Sequence, residues 1–161
     1  MHMPEPQAEH EWLQKLVGEW TFETEPMKGP DGVEAKHKGI DRVRPLGRYW
    51  VIGEGEGDMP GGGTAELRMT LGYDVPKKRF VGTWIGSMMP HLWVYDGELD
   101  ASRMILTLNA DGPSMAGDGS MSKYQDIIEF RSDDHRLLRS QVLQKDGTWN
   151  HFMTAHYRRK K

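Results

Sequence analysis

The sequence has 161 residues, of which 37% are hydrophobic and 28% charged, so it is long enough for one well-filled core and short for two domains. A net charge of −3 gives no field that attracts nucleic acid, and no apolar run approaches the roughly 20 residues that span a bilayer. The sequence contains no cysteine, which excludes disulfides, thiol catalysis and cysteine metal sites. We therefore expect a cytoplasmic protein that binds neither nucleic acid nor membrane.

The N-terminal residues predict a loose segment followed by a short helix. Residues 1–7 lack the basic and apolar stretches of a secretory signal, and we expect them to be flexible. From Ala8 to Leu16 the apolar residues recur at three-to-four spacing, which predicts a helix. No later segment has the composition of a linker, so residues 8–161 are predicted to form a single domain.

After Gly18 the helical period gives way to strand-length segments separated by turn residues. The predicted strands lie near residues 18–25, 36–44, 48–57, 64–73, 78–87, 92–99, 103–110, 122–132, 135–144 and 147–158. Asp146-Gly147 is a strong hairpin signal, and longer, flexible connections are predicted around Pro30–Gly32 and Met59–Gly63.

Strands joined by tight reversals imply antiparallel neighbours, and closing such a sheet removes its exposed edges. We therefore predict an all-β fold, a closed antiparallel meander barrel of about ten strands with one short N-terminal helix.

Several predicted strands mix polar and apolar residues on one face. In the segment 122–132 one face carries Tyr124, Asp126, Ile128 and Phe130. In the last strand one face carries Trp149, His151, Met153, Ala155 and Tyr157. A barrel whose inward residues line a cavity in one half explains such faces. Aromatic residues on the outer wall are the alternative explanation.

Glycine alternates with acidic residues from Gly53 to Asp58, which places the glycines on one strand face and the carboxylates on the other. The glycine face allows a sharp bend or lets a bulky ring pack on the backbone. If Glu54 and Glu56 point inward, they are polar anchors or acid–base groups; if outward, they form a solvated edge.

The segment 82–95 carries the most residues typical of a binding site. The connection between two predicted strands contains Met88 and His91 and is flanked by Trp84 and Trp93. Thioethers, flat aromatic rings and one imidazole are typical of a pocket end. A well-packed barrel end, with His91 making one local hydrogen bond, is the alternative. The histidines are otherwise scattered without ligand spacing, so we expect no metal site.

Several motifs together resemble a bacterial family, the domain of unknown function number 1579. They are Leu16–Trp20, Lys36–Gly39, Gly53–Glu56, Met69–Asp74, Arg79–Ser87, His91–Tyr95 and Phe152–Ala155. The resemblance implies a calycin-like barrel and transfers no reaction. In the related lipocalins the tryptophan of such an opening motif lies beneath a late basic side chain, which implies a contact of Trp20 with Arg158 or Arg159. Haem-binding nitrobindin-like barrels carry further glycines after this motif that are missing here, and we expect no cofactor.

Three hypotheses about function follow. The first is a barrel that binds a small hydrophobic or amphipathic molecule. Its candidate binding residues are Trp84, Met88, His91, Trp93, Tyr124, His151 and Met153, with Glu54 and Glu56 as polar anchors. The second is an enzyme in which Glu54 or Glu56 exchanges protons with His91 or His151. The third is an interaction module that forms a homodimer through the outer wall.

Overall fold

One short helix precedes a series of strands in the computed structural model, which describes residues 2–28, 32–59 and 61–161. The helix α1 spans Ala8–Gln14. The strands are β1 (Gly18–Thr24), β2 (Met27–Lys28), β3 (Glu34–Ala35), β4 (Lys38–Leu46), β5 (Trp50–Asp58), β6 (Thr64–Asp74), β7 (Arg79–Gly86), β8 (Trp93–Leu99), β9 (Ile105–Pro113), β10 (Met121–Ser132), β11 (His135–Leu143) and β12 (Trp149–Arg159).

Ten of these strands form a closed antiparallel barrel in the order β1-β12-β11-β10-β9-β8-β7-β6-β5-β4. Each barrel strand pairs with the next one along the chain, and β1 closes the ring by pairing with both β4 and β12. The short strands β2 and β3 form a separate two-stranded sheet in the connection from β1 to β4. Closure satisfies the backbone groups that an open sheet would leave at its edges.

The predicted fold class is confirmed. The largest difference between a predicted and an observed strand end is three residues, at the end of β9, which was expected at 110 and lies at 113. The β2–β3 pair was not predicted, since strands of two residues carry no period. The connections predicted around Pro30–Gly32 and Met59–Gly63 fall partly outside the described residues.

The helix α1 plugs one end of the barrel. Trp12 and Leu13 of the helix and Leu16 just after it are buried, with Leu13 and Leu16 fully excluded from solvent. The Trp12 ring makes edge contacts with Phe80 and Phe130, and its Nε1 donates a 2.7 Å hydrogen bond to the carbonyl of Arg103. The helix therefore fixes which end of the barrel is closed.

Trp20 lies beneath the plug, between two guanidinium groups. The Cζ atoms of Arg159 and Arg136 lie 4.3 Å and 4.6 Å from its ring centroid. Arg159 also donates to the carbonyls of Val17 (2.7 Å) and Lys15 (3.0 Å), which ties the last strand to the residues just before the first. The expected contact between Trp20 and a basic residue of the last strand is thus made by Arg159.

Over the described residues, no helix is both long and apolar enough to cross a lipid bilayer.

Candidate ligand-binding cavity

A cavity of about 620 Å³ occupies the half of the barrel away from the plug. Its wall is mostly apolar, with Phe22, Met69, Leu108, Ile128 and Met153 among the residues that face it. Protein interiors are normally packed with few voids larger than a water molecule. A space of this size is therefore a feature of the fold rather than a packing defect.

Methionines gather at the unplugged end. Met88 and Met89 lie in the connection from β7 to β8, Met115 lies between β9 and β10, and Met27 lies in β2. Antiparallel connections alternate between the two ends of a barrel, so these segments lie opposite α1. Flexible, polarizable thioethers adapt to ligands of different shape. We call this end the methionine mouth.

Glycines on the inner face let aromatic rings lie directly on the backbone. A Cβ atom added at Gly39 or Gly57 would lie 2.3 Å or 2.7 Å from Cζ of Phe22, so neither position accepts a side chain without displacing that ring. Gly53 and Gly55 belong to the same face and line the cavity. The glycine face of β5 thus lets a bulky ring pack on the backbone, which is the second of the two consequences predicted from the sequence.

A carboxyl group lies inside the cavity wall at Asp126. Its Oδ2 accepts a 2.5 Å hydrogen bond from the hydroxyl of Tyr95, and its Oδ1 accepts a 2.6 Å hydrogen bond from Ser140. Burial raises the pKa of Asp126 against the lowering effect of these two hydroxyls. Burial, and then the Asp126 charge, raise the pKa of Tyr95.

Asp41, Arg136 and Tyr157 form what we call the floor of the cavity, next to Trp20. Arg136 is 2% exposed, and its Nη2 lies 3.5 Å from Oδ2 of Asp41. The Arg136 Cζ lies 4.1 Å from the ring centroid of Tyr157, its register partner on β12. Burial raises the pKa of Asp41, although the neighbouring guanidinium opposes the shift, and burial lowers the pKa of Arg136.

Five of the sequence-predicted site residues line the cavity: Trp84, Met88, Trp93, Tyr124 and Met153. The Trp93 ring contacts Tyr124 edge-on at 4.9 Å, and its Nε1 donates to Sδ of Met89 at 3.3 Å. Tyr124 donates a 2.5 Å hydrogen bond to the carbonyl of Pro113. These residues form one connected aromatic wall that ends at the methionine mouth.

Glu54 and Glu56 lie on the outer face of the barrel, because the glycines between which they stand face inward. Glu54 pairs with Arg44 at 3.5 Å on the outer wall. Neither carboxylate lines the cavity, so the inward orientation considered for them is wrong.

His91 packs against the aromatic wall but is not one of the residues that form it. Its ring contacts Trp93 edge-on at 4.7 Å, and its Nε2 lies 2.9 Å from the carbonyl oxygen of Asp111. The imidazole does not line the cavity. It makes the single local hydrogen bond that a packed barrel end predicts.

His151 is turned outward by a register irregularity. Ser140 pairs with Met153 and the next residue, Gln141, pairs with His151, which leaves Phe152 as an extra residue in β12. Such a bulge inverts the inward–outward alternation beyond it. Phe152 and Met153 consequently both line the cavity, whereas the Nε2 of His151 lies within 2.8 Å of the Met153 carbonyl and the Thr154 hydroxyl.

Several polar residues that line the cavity were not predicted as site residues, among them His37, Asp58 and the three buried charged residues Asp41, Asp126 and Arg136. A signal was present for Asp126, since it shares the period-two face of Tyr124, Ile128 and Phe130. Charged residues are normally assigned to the surface, and no local pattern reveals that two of them will face each other across a barrel.

No group of three or more histidine, aspartate or glutamate side chains is arranged to hold a metal ion within the ranges 2–28, 32–59 and 61–161.

Comparison with protein families gives one match, to the model described as "Protein of unknown function (DUF1579)", over residues 5–159. The chain belongs to this family. The match covers all the motifs that suggested the resemblance, and the DUF1579 description carries no activity or ligand. Comparison of this DUF1579 chain with curated proteins gives no match.

Several solved β-barrels are similar to the DUF1579 chain. A de novo designed fluorescence-activating β-barrel has 16% identity and a TM-score of 0.49, with 92% of this chain and 96% of that chain covered. A structure of EF1p2_mFAP2b bound to DFHBI has 15% identity, a TM-score of 0.49, and coverages of 94% and 98%. The redesigned barrel mFAP1, bound to DFHBI, has 16% identity, a TM-score of 0.47, and coverages of 91% and 97%.

Proposed function

We propose that this protein binds a small, partly apolar molecule inside the barrel. The observation that carries the proposal is the cavity of about 620 Å³, which is apolar in its walls and polar at a few buried positions. Ligand pockets typically have volumes of roughly 300–1,000 Å³ and combine an apolar lining with a few oriented polar groups.

The shape of the site supports a ligand that enters from one side. The plug of Trp12, Leu13 and Leu16 closes the far end, so the methionine mouth is the route of entry. The Asp41–Arg136 pair and Asp126 lie deep, whereas the rim carries thioethers together with the polar residues His37 and Asp58. A ligand with one polar end and an apolar body, inserted polar end first, matches this order.

The enzyme hypothesis loses its basis, because Glu54, Glu56, His91 and His151 all lie outside the cavity lining. The homodimer and the cytoplasmic location stay predictions.

The experiment is a fluorescence titration with 1-aminoanthracene, an uncharged apolar dye. We expect saturable binding at one site per chain, with the blue-shifted emission of a dye that has left water. Ala110→Phe is expected to weaken binding at least tenfold, because Ala110 lines the cavity and is only 8% exposed. Val94→Phe is the matched control, since Val94 is 59% exposed on the outer wall.

Binding that is absent, or that both variants leave unchanged, would refute the proposal. Circular dichroism of both variants establishes that the comparison is made between folded proteins.

A further inference from the structure

Hydrogen-bond donors at the floor of the cavity lack acceptors. Nε and Nη2 of Arg136 are buried and make no hydrogen bond within the part of the chain that the structure describes. The hydroxyl of Tyr157 likewise has no hydrogen-bond partner among the described residues, although its ring is held between Arg136 and Phe22. The two Arg136 nitrogens are closed off from the cavity, whereas the Tyr157 hydroxyl is not among the buried unpaired atoms and Tyr157 lines the cavity.

Asp41 balances the charge of Arg136 without completing its hydrogen bonds. The distance of 3.5 Å between Oδ2 and Nη2 is an ion-pair contact, longer than the 2.7–3.2 Å of N–H···O hydrogen bonds. The Asp41 carboxylate packs closely against the glycine face of β5. Cβ atoms added at Gly53 and Gly55 would lie only 3.3 Å and 3.4 Å from its Oδ1, so the glycines leave the space that this carboxylate occupies. The Asp41–Arg136 ion pair is therefore a fixed part of the cavity floor.

Other charges near the floor do not change this balance. Arg159 also contacts the Trp20 ring, and its charge is balanced by its own carboxylate, Asp134, at 3.3 Å. Asp126, farther up the wall, is hydrogen-bonded to neutral hydroxyls and adds no positive charge. The floor thus offers the unpaired Tyr157 hydroxyl to the cavity, in surroundings that hold no spare positive charge.

We propose, building on the proposed ligand-binding function, that the floor selects an uncharged head group with an acceptor oxygen, and that Asp41 discriminates against carboxylates. A carbonyl or amide oxygen supplies the acceptor that the Tyr157 hydroxyl lacks, since Tyr157 lines the cavity. A carboxylate supplies the same acceptor but adds a negative charge to a floor whose buried cation, Arg136, is already neutralised by Asp41, and low polarity makes an uncompensated charge costly. The ligand class is a neutral amphipathic molecule such as an amide or a ketone.

The test compares decanamide with decanoate, which have nearly the same shape and differ in charge. Each compound displaces 1-aminoanthracene from the full chain at pH 7.5, where decanoate is ionised. In the wild type, decanamide is expected to compete at a concentration at least tenfold lower than decanoate. Equal or stronger competition by decanoate overturns the inference.

Two variants assign the selectivity to residues. Asp41→Asn removes the repelling charge and is expected to improve decanoate binding at least tenfold, while decanamide binding changes less than threefold. Tyr157→Phe removes one donor and is expected to weaken decanamide binding about three- to tenfold. Glu66→Gln makes the same charge change as Asp41→Asn on the outer wall, where Glu66 pairs with Arg68, and is expected to alter neither compound.

The outcomes separate the two proposals. If 1-aminoanthracene does not bind, the proposed function fails and the selectivity falls with it. If the dye binds but decanamide and decanoate compete equally, only the selectivity is overturned. If Asp41→Asn does not fold, the wild-type ratio and Tyr157→Phe decide the question.

Discussion

The hydroxyl of Tyr95 and the carboxyl group of Asp126 share a 2.5 Å hydrogen bond inside the barrel. The two residues lie on β8 and β10, with β9 between them, so the contact spans the inner face of three neighbouring strands. A carboxyl group in this position is favoured in its neutral form, since burial raises its pKa. Protonation of Asp126 is therefore linked to the stability of the barrel.

The sign of this linkage gives the first prediction. Because the pKa of Asp126 is higher in the folded than in the unfolded chain, its contribution to stability is fully present below the unfolded value of about 3.9 and is lost as pH rises through the raised folded value. Asp126→Asn keeps a neutral hydrogen-bonding group at this position. We expect the melting temperature of Asp126→Asn relative to wild type to increase as pH rises above about 4.

A control for this prediction is Asp146→Asn. Hydrogen bonds from Thr148 lower the pKa of Asp146 in its exposed turn, so the linkage there has the opposite sign. Thermal melts over a pH series measure both variants. A melting temperature of Asp126→Asn that falls relative to wild type as pH rises would contradict the assignment of a raised pKa.

The second prediction concerns Arg159, which joins the ends of the chain. Arg159→Met removes the cation from the Trp20 ring and the hydrogen bonds to the Val17 and Lys15 carbonyls. The free energy of unfolding is expected to fall by about 2–3 kcal/mol, the sum of one partly buried cation–π contact and the hydrogen bonds. Arg158→Met, at an exposed position, is expected to change it by less than about 0.5 kcal/mol. Urea denaturation measures both, and equal costs would refute the role assigned to Arg159.

The third prediction concerns the glycine face beneath Phe22. A methyl group at Gly39 would lie 2.3 Å from both the Glu56 carbonyl oxygen and Cζ of Phe22, whereas at Gly53 the nearest atom is Oδ1 of Asp41 at 3.3 Å. Gly39→Ala is expected to destabilise the fold by about 1–3 kcal/mol or more through overpacking. Gly53→Ala is expected to cost less than half as much. Denaturant midpoints compare the two, and a larger cost at Gly53 would show that the packing is misassigned.

Much of the barrel could be predicted from the sequence, because strand and turn signals are local. The Asp146-Gly147 turn indicated the reversal that joins β11 to β12, and alternation placed Gly53 and Gly55 opposite Glu54. The aromatic and methionine clustering around Trp84 and Trp93 indicated one side of the cavity. Each of these inferences depends on residues close together in the chain.

The remaining parts of the site depend on relationships that no local pattern encodes. The bulge at Phe152 turned His151 outward, and a bulge is visible only in the pairing of β11 with β12. The ion pair of Asp41 and Arg136 joins β4 and β11, which are far apart in sequence. Neither could be found from periodicity alone.

The proposed function requires that a small molecule occupies the barrel interior. Methyl-labelled methionine in a ¹³C NMR titration with 1-aminoanthracene tests it directly, because ring currents shift the methyl groups beside the dye. We expect shifts for Met69, Met88 and Met153, which line the cavity, and none for Met3 and Met121, which are 68% and 58% exposed and do not line it. Shifts confined to Met3 and Met121, or no saturable shift at Met69 and Met153, would show that the dye does not occupy the barrel interior.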